Sequence, residues 1–317
     1  MRLFHGLAPL PDDARGAVLA LGNFDGVHHG HRSVIELVER IAAEHGTRHG
    51  IVTFEPHPRE FFRPDLPPFR LTTAASKARL IEALGVDLMV VLTFDRALSQ
   101  QSAEAFVRDI LVGSLGAVHV VIGDDFHFGR GREGTPEMLD ALGAHYGFGV
   151  THTAEVVGPD GIGISSTRIR ELLRAGEPAD AARLLGHWWE IEGIVLSGFQ
   201  RGRTIDFPTA NTALGPLLEP KLGVYAVRAL IDGRWHDGVA NLGNRPTVDG
   251  STVLLETHVF DYSGDLYGRE LRVQLLSFIR PERKFENFAA LTAQIAADAA
   301  EARVRLGSIG EKPPPLA

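Results

Sequence analysis

The alternation of apolar segments in the first half of the chain constrains the fold more than any other feature. Short apolar runs typical of buried strands lie near residues 17–21, 49–54, 87–92, 117–122 and 148–156. Segments with helical apolar spacing lie between them, near 30–45, 73–84, 102–112 and 135–145. This alternation predicts a Rossmann-like α/β domain with a doubly wound parallel sheet, in which ligands bind beyond the carboxyl ends of the strands.

After Gly186 the pattern changes to strand-like segments separated by turns. These segments are 190–196, 224–231, 235–242, 252–260 and 271–279, and Asp232-Gly233 predicts a hairpin. Antiparallel strands of this length and spacing predict a small β-barrel. A C-terminal helix follows, with one apolar face made of Phe288, Leu291, Ile295, Ala299 and Ala302. We therefore expect two domains, 1–186 and 187–317.

Composition and charge exclude several classes of protein. The 317 residues are 44% hydrophobic and 23% charged, which is enough for a core in each domain. A net charge of -8 without a long Lys/Arg run argues against nonspecific nucleic-acid binding. No cysteine is present, so disulfides and thiol catalysis are excluded. Without a signal peptide or a membrane-spanning apolar stretch, we expect a cytoplasmic protein that does not contact a membrane. No particular oligomeric state is predicted.

The first predicted strand leads directly into a turn with spaced histidines. Residues 22–31 read Gly-Asn-Phe-Asp-Gly-Val-His-His-Gly-His, and a helical pattern starts at once afterwards. His28 and His31 thus lie at a helix N-terminus, where backbone N–H groups and the dipole favour phosphate, and Gly30 allows close approach. Imidazoles there can donate hydrogen bonds to charge that develops on a phosphate. The alternatives are a metal site or loop histidines without a ligand.

A second candidate phosphate site begins at Ser165. Residues 164–170 read Ile-Ser-Ser-Thr-Arg-Ile-Arg and precede a helical pattern that stops at Gly176. One hydroxyl is enough to cap a helix. Three hydroxyls followed by Arg168 and Arg170 exceed that need, because cations at a helix N-terminus oppose the dipole unless an anion is bound. From these residues alone, a phosphate site and a capped helix with solvated arginines are equally good interpretations.

Two further motifs complete a recognisable set. They are Thr-Phe-Glu-Pro-His-Pro at 53–58 and Val-Ile-Gly-Asp-Asp-Phe-His-Phe-Gly at 121–129. Together with the histidine turn and the Ser-Ser-Thr-Arg segment, they resemble the adenylyltransferase half of the prokaryotic bifunctional riboflavin kinase/FAD synthetases. A lone His-x-Gly-His would fit many nucleotidyltransferases, so the combination carries the resemblance.

The resemblance implies that ATP adenylylates FMN to FAD with release of pyrophosphate. It makes His28 and His31 catalytic residues that stabilise the ATP phosphates. The implied ATP-binding residues are Gly22, Asn23, Phe24, Asp25, Gly30, Ser165, Ser166, Thr167 and Arg168. The implied flavin-binding residues are His57, Asp125 and Phe126. For Asp124-Asp125, the local alternative is a solvated turn.

The second predicted domain carries a loop with Gly202 and Arg203 that ends in Pro-Thr-Ala-Asn at 208–211. Thr209 and Asn211 offer a hydroxyl and an amide oxygen that suit a hard cation such as Mg²⁺ shared with nucleotide phosphates. The local alternative is a turn in which these side chains bond their own backbone.

This loop resembles the signature of riboflavin kinases, and the resemblance extends through 223–225, 238–247, 255–258 and 264–268. It implies ATP binding by Gly202, Arg203, Thr209 and Asn211, with the last two also holding Mg²⁺. Glu256 occupies the catalytic position of the family. A carboxylate in an apolar strand is costly unless it faces a wet site, so Glu256 fits a base for the riboflavin 5′-hydroxyl. A strand carboxylate on the solvent face is the alternative.

The sequence therefore predicts a bifunctional enzyme with a Rossmann-like nucleotidyltransferase domain and an antiparallel β-barrel riboflavin kinase domain that ends in a helix. It would convert riboflavin to FMN and FMN to FAD, using ATP and Mg²⁺ in both steps. Asp206 stands where the kinase pattern usually has glycine, and its carboxylate would repel ATP phosphates. One alternative is thus an FAD synthetase whose barrel binds flavin without kinase activity. Another is a flavin-sensing or nucleic-acid-linked regulator.

Overall fold

Two units, each with its own apolar core, make up the described chain. The protein is represented by a computed structural model that describes residues 1–196, 207–247, 250–313 and 315–316. The first unit comprises Met1–Leu66 and Thr73–Ile164, and the second comprises Pro67–Thr72 and Ser165–Ala317. Within the described residues, no helix has both the length and the apolar character needed to cross a membrane.

A six-stranded parallel sheet forms the centre of the first unit, in the order β1-β4-β3-β2-β5-β6. Its strands are β1 (Arg2–His5), β2 (Val18–Leu21), β3 (His49–Glu55), β4 (Leu88–Thr93), β5 (His119–Gly123) and β6 (Gly149–Thr153). The parallel sheet predicted from the sequence is confirmed. β1 was not expected, because its mostly exposed residues Arg-Leu-Phe-His lack the apolar pattern of a buried strand.

Helices cover both faces of this sheet, as the doubly wound prediction requires. They are α1 (His29–His45), α2 (Pro58–Phe62), α3 (Ala74–Glu82), α4 (Arg96–Ser99), α5 (Ala103–Ala105), which continues as a π-helix (Phe106–Ser114), and α6 (Pro136–Tyr146). Alternate residues of β2 enter different cores: Val18 and Ala20 pack with α1 and α3, whereas Leu19 and Leu21 pack with the π-helix and α6.

The second unit contains a closed six-stranded barrel in the order β10-β11-β8-β7-β12-β9. Its elements are α7 (Ser166–Ala175), α8 (Pro178–Leu185), β7 (Glu190–Leu196), β8 (Ala210–Ala213), β9 (Gly223–Ile231), β10 (Arg234–Thr247), β11 (Gly250–Val259), β12 (Glu270–Arg280) and α9 (Phe288–Leu306). Asp232 and Gly233 have φ values of 50° and 78° between β9 and β10, so the predicted hairpin is confirmed. Among the barrel strands, the apolar pattern missed β8, and it predicted the other five.

The apolar face of α9 differs in one residue from the prediction. Ala299 and Ala302 are buried against the barrel, but Phe288 is 62% exposed. Asn287 caps the helix, so Phe288 lies in its first turn, whereas the turns that enter the barrel core come later. The expectation that Phe288 packs with this face was therefore wrong.

A short segment of the first half of the chain packs within the second unit. In this segment, 67–72, the Phe69 carbonyl accepts a hydrogen bond from Arg170 Nε at 2.7 Å, and the Leu71 carbonyl accepts one from Trp189 Nε1 at 2.8 Å. The predicted domain limits, 1–186 and 187–317, are drawn from the order of motifs along the chain. The two units are defined by contacts in space, so residues 67–72 and 165–186 fall in the second unit.

Candidate active sites

The histidine turn joins β2 to α1 at the carboxyl edge of the sheet. Its backbone is anchored on β3, since the Gly22 amide donates to the Val52 carbonyl at 3.1 Å and Thr53 Oγ1 donates to the Asn23 carbonyl at 3.1 Å. Phe24 and Val27 adopt positive φ values of 49° and 45° although both are buried. Non-glycine residues rarely adopt this conformation, so packing holds the turn in an unusual shape.

His28 caps the N-terminus of α1 with its ring. Its Nδ1 accepts the amide N–H of His31 at 3.4 Å, so the neutral ring carries its proton on Nε2, where it can be donated. The rings of His28 and His31 are stacked, with centroids 3.7 Å apart. A Cβ on Gly30 would lie 3.0 Å from the His28 ring, which explains the glycine between them.

His31 has a lowered pKa and a buried ring nitrogen without a partner in the described part of the chain, as expected of a histidine that binds a ligand. Burial holds the pKa of His31 well below its usual value of 6.5, and electrostatic interactions with the His28 ring and the Lys77 ammonium lower it further. The ring is therefore neutral at pH 7. Its Nδ1 is buried and has no hydrogen-bond partner among the described residues. A buried polar atom without a partner is costly, and a phosphate oxygen would remove that cost.

The loops that carry the predicted flavin residues leave the same edge of the sheet. β2 lies between β3 and β5, and all three strands are parallel, so the loops that follow them emerge side by side. His57 Nδ1 accepts the Arg59 amide at 3.0 Å and begins α2, which makes His57 a helix cap. Asp125 is exposed in the loop after β5, and the Phe126 ring stacks on Phe128 with centroids 5.9 Å apart.

An aromatic cluster near His57 was missed by the sequence analysis. The rings of Phe61, Phe62 and Phe94 contact one another edge to face, with centroids 5.2–5.6 Å apart. Phe62 is 58% exposed. The signal in the sequence is the pair of phenylalanines that follows the Pro-His-Pro motif after two charged residues, because a helix on the surface does not need two adjacent aromatic side chains.

The Ser165 segment lies in the second unit and is only partly explained by capping. Ser165 Oγ accepts the Arg168 amide at 3.3 Å and so caps α7, which ends at Gly176 with φ 84°. Arg170 is buried, donates to the Phe69 carbonyl and lies over the Phe69 ring. Arg170 is therefore not a solvated arginine, because its side chain is buried and holds the segment 67–72. Ser166 and Thr167 follow Ser165 in the first turn of α7.

In the barrel, Glu256 and Asn211 are directly paired across β11 and β8. Leu255 and Thr257 on either side of Glu256 are buried, so Glu256 points to the opposite face of β11, where its side chain is 17% exposed. Paired residues on adjacent strands place their side chains next to each other. Arg245 donates a hydrogen bond to the Glu256 carboxylate.

Thr209 lines a cavity of about 60 Å³. Thr257, Tyr262, Asp265 and Tyr267 also line it, whereas Asn211 and Glu256 are not among its lining residues in the described chain. The Asn211 amide nitrogen donates to the Thr209 carbonyl at 3.5 Å. This contact leaves the amide oxygen of Asn211 as an acceptor atom.

His258 is a second residue that the sequence analysis missed. Its Nδ1 lies 3.0 Å from the Pro208 carbonyl, and its ring contacts Phe207 at a centroid distance of 4.3 Å. A carbonyl only accepts, so Nδ1 is the donor. His258 therefore ties β11 to the residue before Thr209. Its signal in the sequence is its position two residues after Glu256, on the same face of the strand.

Part of the predicted kinase site falls outside the described residues, namely Gly202, Arg203 and Asp206. For a cation, the described donors are the Thr209 hydroxyl, the Asn211 amide oxygen and the neighbouring Glu256 carboxylate. All are oxygen ligands, which fits Mg²⁺ completed by nucleotide phosphates. The described residues contain no cluster of three or more His, Cys, Asp or Glu side chains that could hold a metal alone.

Comparison with known proteins relates both halves of the chain to enzymes of flavin metabolism. Residues 10–168 match the family model of FAD synthetase, and residues 185–306 match that of riboflavin kinase. The bifunctional riboflavin kinase/FMN adenylyltransferase of Escherichia coli K12 is 41% identical over 97% of each chain. The protein of that name from Pseudomonas fluorescens is 43% identical over 96% of this chain and 97% of its own. The crystal structure of a macrolide-efflux protein from Streptococcus pneumoniae covers 96% of this chain and 99% of its own, with TM-score 0.84 and 28% identity.

A parallel-sheet domain followed by a closed barrel, together with matches to two ATP-using enzyme families, defines a two-domain nucleotide-dependent transferase. The chain belongs to the FAD synthetase family and carries a riboflavin kinase domain. It phosphorylates riboflavin to FMN and adenylylates FMN to FAD, with ATP as co-substrate. The family and function predicted from the sequence are thereby confirmed, and the barrel without kinase activity is not supported.

Proposed function

We propose that the adenylyl transfer occurs at the histidine turn, Gly22 to His31. An oxygen of the FMN phosphate attacks the α-phosphorus of ATP, the bond from that phosphorus to the bridging oxygen breaks, and pyrophosphate leaves with the electron pair. FMN phosphate is already ionised at neutral pH, so no general base is required. Catalysis then consists of positioning and charge stabilisation. The buried, unpartnered Nδ1 of His31 is the observation that carries this proposal.

Other residues of the first site take supporting roles in the proposal. His28 donates from Nε2 to the ATP phosphates, and the backbone from Gly22 to Asp25 lies against the nucleotide. Separately from the histidine turn, Ser165, Ser166, Thr167 and Arg168 are proposed ATP-binding residues at the N-terminus of α7. The isoalloxazine ring packs on the cluster of Phe61, Phe62 and Phe94, of which Phe62 is exposed, with His57, Asp125 and Phe126 on the neighbouring loops. Aromatic faces suit a planar flavin ring.

For the barrel, we infer that Glu256 is the general base. It accepts the proton of the riboflavin 5′-hydroxyl as that oxygen attacks the γ-phosphorus of ATP, and ADP leaves with the electron pair of the broken bond. Thr209 and Asn211 would hold Mg²⁺, and Gly202 and Arg203 would contact the nucleotide. Mg²⁺ bound there would reduce the negative charge of the ATP phosphates. The pairing of Glu256 with Asn211 across β8 and β11 supports this arrangement.

Product analysis tests this assignment of the two sites. The protein is incubated with riboflavin and MgATP, or with FMN and MgATP, and the flavins are separated by chromatography. A His28→Ala/His31→Ala double variant should make FMN from riboflavin but no FAD from FMN. FAD formation by this variant at the wild-type rate would contradict the assignment.

The contribution of Asp206 is tested in the same assay. We expect the wild-type kinase to be active, because Arg203, Thr209, Asn211 and Glu256 are all present in the sequence. An inactive wild type that is restored by Asp206→Gly would contradict this expectation. A cytoplasmic location and the absence of nucleic-acid binding likewise stay predictions.

A further inference from the structure

A buried lysine lies next to the histidine turn, and neither reaction proposed above uses it. Lys77, in α3, is 1% exposed. Its ammonium donates to Glu55 Oε1 at 2.8 Å and to Thr53 Oγ1 at 3.3 Å. Thr53 is fully buried, and the Glu55 side chain is 18% exposed. The first unit thus contains an ion pair that is largely removed from water.

This ion pair is connected to the histidine turn in two ways. Thr53 Oγ1, which accepts from Lys77, donates its own proton to the Asn23 carbonyl at 3.1 Å, so a chain of hydrogen bonds runs from the ammonium to the turn. The positive charge of Lys77 also reaches the His31 ring, where it helps to lower the pKa of that imidazole, after burial and His28. Both connections lie within the first unit.

Stability alone does not explain a charged pair at this place. Removing an ammonium and a carboxylate from water costs free energy that their attraction barely returns, and well-packed apolar residues of the same volume are often at least as stable. In contrast, a buried ammonium is poorly screened, so its charge acts over a longer range than that of a surface lysine. The ATP phosphates are the ligands for which this charge would matter.

We propose that Lys77 is a positioning residue for adenylyl transfer. It orients the histidine turn through Thr53 and Asn23, and it supplies a fixed positive charge close to His31, where negative charge develops on the phosphates. This inference rests on the proposal that His31 belongs to the adenylyl-transfer site. Lys77 acts through the turn, and Glu55 holds the ammonium in place.

The test compares Lys77→Met with a Lys77→Met/Glu55→Leu double variant, which removes both charges and keeps apolar side chains of similar volume. The kcat and the KM for ATP are measured for FAD formation from FMN. Circular dichroism and thermal unfolding of the same preparation report whether the first unit is folded, and the riboflavin kinase rate reports on the barrel of the second unit. We expect both variants to lose roughly 10- to 100-fold in kcat for adenylyl transfer, as is typical of displaced catalytic geometry. The kinase rate should remain at the wild-type level.

The double variant separates a functional charge from a structural ion pair. If Lys77 only balances the charge of Glu55, the double variant recovers the wild-type kcat, and the proposal is overturned. If the first unit of Lys77→Met does not fold, its circular dichroism and thermal unfolding show this, and the folded double variant alone decides. His31→Ala is assayed in parallel. If His31→Ala forms FAD normally, the site assignment is wrong, and the inference about Lys77 falls with it.

NMR titration of the His31 imidazole supplies a readout that a purely structural role would not move. The groups that face this ring are His28 in the turn and Lys77 in α3, with Glu55 of β3 paired to Lys77. Loss of the ammonium removes a charge that disfavours protonation, so the pKa of His31 should rise in Lys77→Met. In the double variant, loss of the Glu55 carboxylate acts in the opposite direction and makes the rise smaller. An unchanged His31 titration in both variants would overturn the proposed electrostatic role.

Discussion

The candidate adenylyl-transfer site and the candidate kinase site serve the same co-substrate, ATP, with different side chains. One offers nitrogen donors and a positive charge, and the other offers a carboxylate. The first is a strand-to-helix turn that offers two stacked imidazoles and a buried ammonium. The second is the face of a barrel strand that offers a carboxylate beside an amide. The nucleophiles explain the difference. FMN phosphate is already an anion and needs only positive surroundings, whereas the riboflavin hydroxyl must lose a proton and therefore needs a base.

The largest expected effect separates the two sites at Glu256. Glu256→Gln keeps the side-chain volume but cannot accept the hydroxyl proton, so the kinase kcat should fall roughly 10²- to 10⁴-fold. FAD formation from FMN should not change. Glu190→Gln is a matched control, because Glu190 also lies in the barrel, is also 17% exposed and is also paired with an arginine. An equal loss in both variants would mean that the effect is structural.

His31→Ala should have the next largest effect, and it should affect the adenylyl transfer instead of the kinase reaction. Loss of a positioned donor should lower FAD formation by roughly 10²- to 10³-fold and leave riboflavin phosphorylation intact. His119→Ala is the control, since His119 is a partly buried histidine at the start of β5, away from the turn. If His31→Ala lowered both activities in a folded protein, the division into two sites would be incorrect.

His258 should matter less, because it supports the kinase site through one hydrogen bond. His258→Ala removes the bond to the Pro208 carbonyl, and we expect about a three- to tenfold loss of kinase kcat/KM, in line with about 0.5–1.5 kcal/mol per hydrogen bond. His258→Asn retains a donor near the same position and should recover part of that loss. No recovery, together with a lowered unfolding temperature in both variants, would indicate a packing role.

The smallest effect is a difference in titration. Burial, His28 and Lys77 all lower the pKa of His31, so its ring should remain mostly neutral at pH 6.5, where an ordinary histidine is half protonated. Protonation should occur only at lower pH, and the ring would then no longer be the neutral donor of the resting site. NMR titration of the ligand-free protein measures this. A midpoint at or above 6.5 would contradict the lowered pKa expected for His31.

Features with a local cause could be predicted from the sequence. The strand, turn and helix around His31 follow from one apolar run, a glycine-rich turn and helical spacing, and the hairpin at Asp232-Gly233 follows from two residues that tolerate positive φ. The cap at Ser165 likewise depends on neighbours three residues away.

Features that depend on distant contacts could not be predicted. Lys77 is 24 residues from Thr53 and 22 from Glu55, and only the packing of α3 on β3 brings the three together. Arg170 was interpreted as a solvated or anion-binding arginine, but it binds the Phe69 carbonyl, 101 residues away in sequence. Phe288 matches the apolar period of α9, yet the first turn of this helix remains exposed.

A mixing experiment tests the two-site account most directly. His31→Ala and Glu256→Gln proteins are incubated with riboflavin and MgATP, first separately and then together, and the flavins are quantified over time. Separately, the first should accumulate FMN and the second should leave riboflavin unchanged. Together, they should produce FMN first and FAD afterwards. If the mixture forms no FAD although both proteins are folded, the assignment of the two reactions to these two residues is wrong.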